Sequence, residues 1–178
     1  MTTTTYLSPA GVTVHEFFLE SSVYNGHSLF PPLYRVTLGD FIESRERQTF
    51  KPQPELKSYY NSTTGTIGFM DLRRNRKYIP TGRMDEDYPD VEIEEPCEVL
   101  CVEQVGIEPQ HRRQGYAAFL VRRAEELARE WGLDIVYMST IQGDPKNGTT
   151  PELIRDLLER TGYRLIGLHK SDAFKRLE

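Results

Sequence analysis

The sequence predicts an α/β protein built on a mixed sheet, and three observations carry that prediction. An apolar extended run at residues 98–107 is followed by an amphipathic helical repeat and then by a second short apolar run, Ile135-Val-Tyr-Met138. Two parallel strands joined through a helix satisfy this order. Near the C-terminus, Tyr163 to Lys170 and Ala173 to Leu177 flank Ser171-Asp172 and read as an antiparallel hairpin.

Taken in chain order, Val12 to Leu19 is apolar enough for a strand or a short helix, and Phe30-Pro-Pro-Leu33 marks a break. Val36 to Phe50 reads as a helix with Val36, Phe41 and Ile42 inward, and Thr64 to Leu72 as a strand. The segment from Arg73 to Pro96 holds a basic cluster and then an acidic one, a charged loop or long hairpin connection in solvent. Val99, Leu100, Val102, Val105 and Ile107 form a strand stopped by Pro109. Ala117, Leu120, Val121, Ala124, Leu127, Ala128 and Trp131 then recur at three- and four-residue steps, with Gly132 to end the helix. On its polar face, Glu125 and Arg129 read as a surface pair. Thr150-Pro-Glu152 offers a capping hydroxyl and a first-turn proline ahead of Leu153, Ile154, Leu157 and Leu158, and Gly162 closes that helix.

Composition narrows the function classes. The chain has 178 residues, with 27 Asp plus Glu against 22 Lys plus Arg and a net charge of -5, which disfavours general nucleic-acid binding. No apolar run reaches the roughly 20 residues that span a bilayer, and Met1 to Ala10 is Thr-rich, so a cytoplasmic protein is expected. Cys97 and Cys101 lie too far apart on one extended segment for a disulfide and read as free thiols, and no local His or Cys cluster points to a metal.

The chemistry concentrates in Val105-Gly-Ile-Glu-Pro-Gln-His-Arg-Arg-Gln-Gly-Tyr-Ala117, where a strand ends, a polar loop turns and a helix begins. The first amides of a helix lack intrahelical acceptors and face the positive end of its dipole, so this turn is an anion site. Gly115 and Ala117 leave room for close approach, and Arg112 and Arg113 add cationic donors. Tight helix packing alone would also account for Gly-x-Ala. The nucleotide-triphosphate and dinucleotide glycine motifs are absent.

These residues, with Arg112-Arg-Gln-Gly-Tyr-Ala117 at their centre, resemble the coenzyme A motif of the GNAT N-acetyltransferase superfamily, Arg/Gln-x-x-Gly-x-Gly/Ala. The resemblance extends to the element order from residue 98 onward. It implies a GNAT-like mixed central sheet flanked by helices, with splayed fourth and fifth strands at Val99 to Ile107 and Ile135 to Thr140. One acyltransferase domain spans 1–178, with a variable substrate-side half at 1–97, including the charged loop at 73–96, and a coenzyme A half at 98–178. Backbone at Val105 and Ile107 would pair with the pantetheine arm, and the amides of Arg112, Arg113, Gln114, Gly115, Tyr116, Ala117 and Ala118 would cradle the pyrophosphate.

The implied reaction is acetyl transfer from acetyl-CoA to a primary amine by direct attack, with no metal. An alkyl ammonium must lose a proton first, at about 4.6 kcal/mol at pH 7. Glu103 stands where many family members place the glutamate that accepts it, and shares the sequence parity of Val105 and Ile107. A structural hydrogen bond or simple edge exposure is the alternative for this carboxylate. The family's usual tyrosine acid is replaced by Leu158, which leaves Tyr137 and Ser139 as substitutes, while an asparagine common in the family has no clear counterpart, since nearby Asn147 lies in Gly143-Asp-Pro-Lys-Asn-Gly148, which reads first as a turn cluster. Cys101 reads as a small buried residue. The acidic segment favours a small cationic amine or a basic peptide as acceptor, without a membrane and with room for a homodimer. Two other functions stay open: a catalytically idle coenzyme A binding module, motivated by Leu158, and an acyltransferase acting on nucleic acid, motivated by Arg73, Arg74, Arg76 and Lys77.

Overall fold

The strand, helix, strand order at the heart of the prediction is present in the computed structural model, which describes residues 3–19, 23–24, 27–28, 33–39, 66–139, 141 and 150–178. Among these residues the strands are β1 (Thr3–Leu7), β2 (Thr13–Leu19), β3 (Val23–Tyr24), β4 (His27–Ser28), β5 (Leu33–Gly39), β6 (Thr66–Met84), β7 (Glu92–Ile107), β8 (Ile135–Met138), β9 (Arg164–Ile166) and β10 (Asp172–Arg176). Helix α1 (Tyr116–Glu130) joins β7 to β8, and α2 (Pro151–Arg160) lies between β8 and β9. One eight-stranded sheet runs β1-β2-β5-β6-β7-β8-β10-β9, and β3 pairs separately with β4. All neighbours in the large sheet are antiparallel except β7 and β8, the parallel pair bridged by α1.

Helix signals in the second half act as anticipated. Gly132 at φ 67° turns the chain after α1 while the Leu133 amide bonds the Ala128 carbonyl at 2.8 Å. Thr150 caps α2 by accepting from the Leu153 amide at 3.4 Å, and Gly162 at φ 87° ends it. Leu120, Val121, Ala124, Leu127 and Ala128 of α1 pack on one face of the sheet against Val14, Val36, Leu38, Met70, Leu72, Leu100, Val102 and Val136. Each Val, Leu or Met side chain among them contributes about 1.5–3 kcal/mol when fully buried. On the opposite face, Ile79, Val99, Cys101, Ile135, Tyr137 and Phe174 form a smaller cluster.

Three readings change. Residues 36–39 belong to strand β5 rather than a helix, because Val36 and Leu38 are buried at a period of two on the helix-covered face; Phe41 and Ile42 lie outside the described residues. Of the two readings of the charged segment 73–96, the long hairpin holds and the loop does not: Arg73 to Met84 and Glu92 to Pro96 are strand, paired through β6 and β7, and only 85–91 forms the turn. Cross-strand pairs Arg74–Glu98 at 2.6 Å and Arg83–Glu95 let both charge blocks sit in one hairpin. The boundary at 97/98 therefore falls inside β7, and both portions of the chain share one sheet. Finally, Glu125 is buried and binds Lys175 Nζ at 2.9 Å, so it does not pair with Arg129 on the surface.

The β1–β2–β5 side is fixed to α1 through one carboxylate. Buried Glu16 accepts from Tyr6 Oη at 2.6 Å, Tyr34 Oη at 2.7 Å and Arg123 Nε at 2.7 Å. Burial alone would raise the Glu16 carboxyl pKa, but the bonds from Arg123 and the two tyrosines outweigh it and hold the pKa below its ordinary value.

Candidate active site

A single extra residue shapes the site. In the β6–β7 register, Asp71 faces Gln104 and Leu72 faces Val102, which leaves Glu103 as a β-bulge. The parallel pairing of β8 with β7 covers only Leu100 to Val102, opposite Val136 to Met138. Beyond that point the edge of β7 turned away from β6 has no strand partner among the described residues, and the predicted splay opens there.

The hydrogen-bond phase fixes which groups line the opening. Glu108 N–H donates to the Ile67 carbonyl at 2.9 Å while Ile107 stands opposite Gly68, so Ile107 and Gly68 form a non-hydrogen-bonded pair. Peptide groups of Gly106 and Glu108 consequently face β6, and those of Val105 and Ile107 face the open edge. Arg112 Nε donates to the Ile107 carbonyl at 3.0 Å, which ties the following loop to the strand end. Of the two arginines proposed as cationic donors, Arg112 is thus committed at Nε, whereas Arg113 is exposed.

The loop prepares the helix start for an anion. A short 3-10 turn at Pro109–His111 is followed by Arg113 at φ 60° and Gly115 at φ 85°. Glycine takes this left-handed conformation without strain, and a Cβ at Gly115 would have nothing within 4 Å, so the space in front of α1 is open. Gly115 offers no capping side chain, and the bond from the Phe119 amide to the Gly115 carbonyl, at 2.9 Å, leaves the amides of Tyr116, Ala117 and Ala118 ahead of it. No acidic residue occupies the first turn of α1. Exposed Gln114 folds back, its Nε2 donating to the Gln110 carbonyl at 3.3 Å. Open amides, a missing Cβ, no acid in the first turn and the Arg113 cation together fit a diphosphate.

The reactive groups gather on the sheet face opposite α1. Glu103 was expected to share the facing of Val105 and Ile107, but the bulge turns those two to the helix side, where Ile107 packs, and leaves Glu103 on the Cys101 face, with Arg73 Nε 3.9 Å from its Oε1 and the Cys101 thiol beside it. Tyr137, paired in register with Cys101, lies in the same cluster, and Cys101 Sγ stands 3.8 Å from the Ser139 hydroxyl. Lys77 Nζ sits 5.2 Å from the centre of the Tyr137 ring. Burial, reinforced by the Glu103 charge, pushes the Cys101 thiol up to about 11. Burial, then the charges of Asp172, Cys101 and Glu94, raises the Tyr137 hydroxyl to about 12, so both keep their protons near neutrality.

Leu158 is a buried core residue 1% exposed, so no acid stands at that position of α2, and Asn147 lies outside the described residues. Arg73 was hidden in sequence within a run of cations that strand alternation divides. Arg73 and Lys77 face the Glu103 side, whereas Arg74 turns to the other face and pairs with Glu98. Among the described residues there is no group of His, Cys, Asp and Glu arranged to hold a metal and no helix long and apolar enough to cross a membrane.

No curated protein matches the chain. Among solved structures, AtaT complexed with acetyl-methionyl-tRNAfMet is similar at 13% identity and a TM-score of 0.49, covering 81% of this chain and 71% of that one. The NatC complex bound to Gag peptide and CoA is 12% identical at a TM-score of 0.45, with coverage of 81% and 71%. A putative acetyltransferase from Agrobacterium tumefaciens is 25% identical at a TM-score of 0.36, with coverage of 61% and 77%. The sequence model of the acetyltransferase (GNAT) family matches residues 31–147, well over half of the chain, and the protein therefore belongs to the GNAT acetyltransferases.

Proposed function

We propose that this acetyltransferase moves the acetyl group of acetyl-CoA onto the primary amine of a small molecule or peptide by direct attack. The observation that carries the proposal is the meeting of two open backbone surfaces: the unpartnered β7 edge at Val105 and Ile107 and the uncapped start of α1. Acetyl-CoA, when bound, supplies the activated acyl group.

In this reading the Val105 peptide group and the Ile107 amide hold the pantetheine arm, and the amides from Arg113 to Ala118 hold the diphosphate with Arg113 as cation. Arg112 keeps the loop in place through the Ile107 carbonyl. Glu103 accepts the ammonium proton, directly or through a water, at the corner where β7 leaves β8. Tyr137 and Ser139 present hydroxyls there. With its pKa near 12, Tyr137 is a hydrogen-bond donor and a weak acid, and a departing thiolate of ordinary pKa, about 8.5, needs no stronger one. Strands β1 to β6 form the acceptor side. Free Cys97 and Cys101 fit a reducing cytoplasm.

Leu158 in the core favours one second reading, a coenzyme A binding module without turnover. A thermal-shift titration with acetyl-CoA, followed by thiol release over a panel of amines, separates the two. Both readings require binding to raise the melting temperature by mass action, and only the first yields thiol. Gly115→Val tests the site itself: a β-branched residue at φ 85° is strained by about 1–2 kcal/mol and fills the space before α1. The shift with acetyl-CoA should vanish while the variant stays folded. An undiminished shift would remove the anion-site assignment.

A further inference from the structure

Among the described residues, Arg73 is the one cation on the Glu103 face whose guanidinium lacks a hydrogen-bond acceptor at a buried atom. Its Nε is buried without a partner, its side chain is only 24% exposed, and its contact with Glu103 Oε1, at 3.9 Å, lies beyond hydrogen-bond range. A guanidinium presents five donors in a planar fork that matches carboxylate and phosphate oxygens. Arg35, on the neighbouring strand, already has this arrangement, its Nε and Nη2 bonded to buried Asp71 at 2.7 and 2.8 Å.

The acidic run once read as the attractor for a cationic acceptor lies elsewhere. Glu95 and Glu103 are eight residues apart on one strand, about 26 Å at 3.3 Å per residue. Glu92, Glu95 and Glu98 are also bonded to Arg164, Arg83 and Arg74. The cation that an acceptor meets beside Glu103 is therefore Arg73, with Lys77 further along the same face and the Asp172 and Glu94 carboxylates acting on Tyr137.

We infer that the acceptor is an amine carrying an anionic group, a carboxylate or a phosphate, one or two carbons from its nitrogen, and that Arg73 binds this anion while the amine meets Glu103. The inference rests on the proposed role of Glu103. A carboxylate and a guanidinium 3.9 Å apart form the mirror of an amino acid's two charges. The acceptor's anion supplies the oxygens that the Arg73 fork lacks, and neutral, cationic or strongly basic acceptors leave it unsatisfied.

The test compares kcat/KM by thiol release for glycine against glycinamide and phosphoethanolamine against ethanolamine, then for other amino acids against their amides, in the wild type, Arg73→Gln and Arg73→Lys. The wild type should favour the anionic member of at least one pair by about 10- to 100-fold, the span of a charged hydrogen bond. Arg73→Gln should bring that ratio close to one with the KM for acetyl-CoA unchanged, and Arg73→Lys should restore part of it. Whichever pair shows the preference identifies carboxylate or phosphate. Preference for neutral or polycationic acceptors, or equal loss on both members of a pair in Arg73→Gln, overturns the inference. Calorimetry on the CoA-loaded wild type, comparing N-acetylglycine with N-acetylglycinamide and N-acetylphosphoethanolamine with N-acetylethanolamine, reads Arg73 without turnover. Tighter binding of either anion sustains its role even if Glu103 proves not to be the base, and equal binding within both pairs overturns it.

Discussion

Replacing Glu103 by Gln tests the proton-acceptor role through the shape of a pH profile as well as through a loss of rate. Gln keeps the size of the side chain and the residue count of the bulge, so the β6–β7 register should persist. What disappears is the acceptor for the ammonium proton. For an alkyl amine of pKa about 10.4, the free-base fraction at pH 7 is about one in 2,500, equivalent to about 4.6 kcal/mol. A positioned base is worth about 10²- to 10⁴-fold, so the variant should lose two to three orders of magnitude in kcat/KM at pH 7. As pH rises the solvent does the work of the missing carboxylate: the variant's log kcat/KM should climb with unit slope and the deficit should shrink about tenfold per unit. By pH 9.4, one unit below the amine pKa, the deficit should be about tenfold or less. The assay is thiol release under limiting amine between pH 6.5 and 10, with thermal-shift titration confirming unchanged acetyl-CoA binding. A deficit that stays constant across this range, or no deficit at pH 7, would refute the role of Glu103 as base.

Three further outcomes follow from the geometry. Glu16→Gln should destabilise the fold by about 3 kcal/mol, the lower end for breaking a buried pair because Arg123 keeps Glu126 and Glu130. Since the folded carboxyl is held below its unfolded pKa of about 4.3, that stability is fully present above about pH 5 and is lost as pH falls through the folded value, so urea unfolding should show the gap between wild type and variant narrowing in acid. With its thiol raised to about 11, Cys101 should react with iodoacetamide at pH 8 at least 100-fold more slowly than half-buried Cys97, as read by peptide mass spectrometry, and equal rates would contradict its burial beside Glu103. Deleting Glu103 removes carboxylate and bulge together, so it should weaken acetyl-CoA binding in a thermal-shift titration as well as abolish turnover, whereas Glu103→Gln should leave binding intact.

The second half of the chain was legible because its signals are local. Gly132, Thr150, Pro151 and Gly162 each act within a turn of the residue they control, and the α1 stripe is an unbroken helical period. The strand-to-helix motif likewise lies within a dozen residues, which is why the open amides at Gly115 to Ala118 could be placed from sequence. β6 hid for the opposite reason. Its distal half alternates Arg74, Arg76 and Tyr78, all exposed, with Arg73, Lys77 and Ile79, and a solvent-facing strand side full of cations reads as a loop until its partner is known. Only β7, with its matching acids, makes that half a strand. The β5 error has the same origin, since two buried positions, Val36 and Leu38, fit a helix as readily as a strand without the neighbours β2 and β6.

Parity failed at Glu103 because a bulge is a property of two strands. Counting along β7 alone places residues 103, 105 and 107 on one side. The register against β6 shows that the extra residue breaks the count, so that Glu103 stays on the Cys101 face while Val105 and Ile107 turn to the helix side. Under the proposed function, that change of phase resolves a conflict in what the site must do. The pantetheine arm needs the peptide edge of β7, which lies in the plane of the sheet, whereas the acceptor amine needs a carboxylate out of that plane, free of the apolar packing under α1. A regular strand through Glu103 would keep Ile107 on the Cys101 face and withdraw it from the helix-side core. The bulge lets Ile107 pack under α1 while the carboxylate stands above the opposite face, 3.9 Å from Arg73, one residue past the last pairing of β7 with β8. Local twist rises at a bulge, so the feature that sends Ile107 and the Glu103 carboxylate to opposite faces also helps part the two strands, and under the proposed function one residue sets both the base and the cleft.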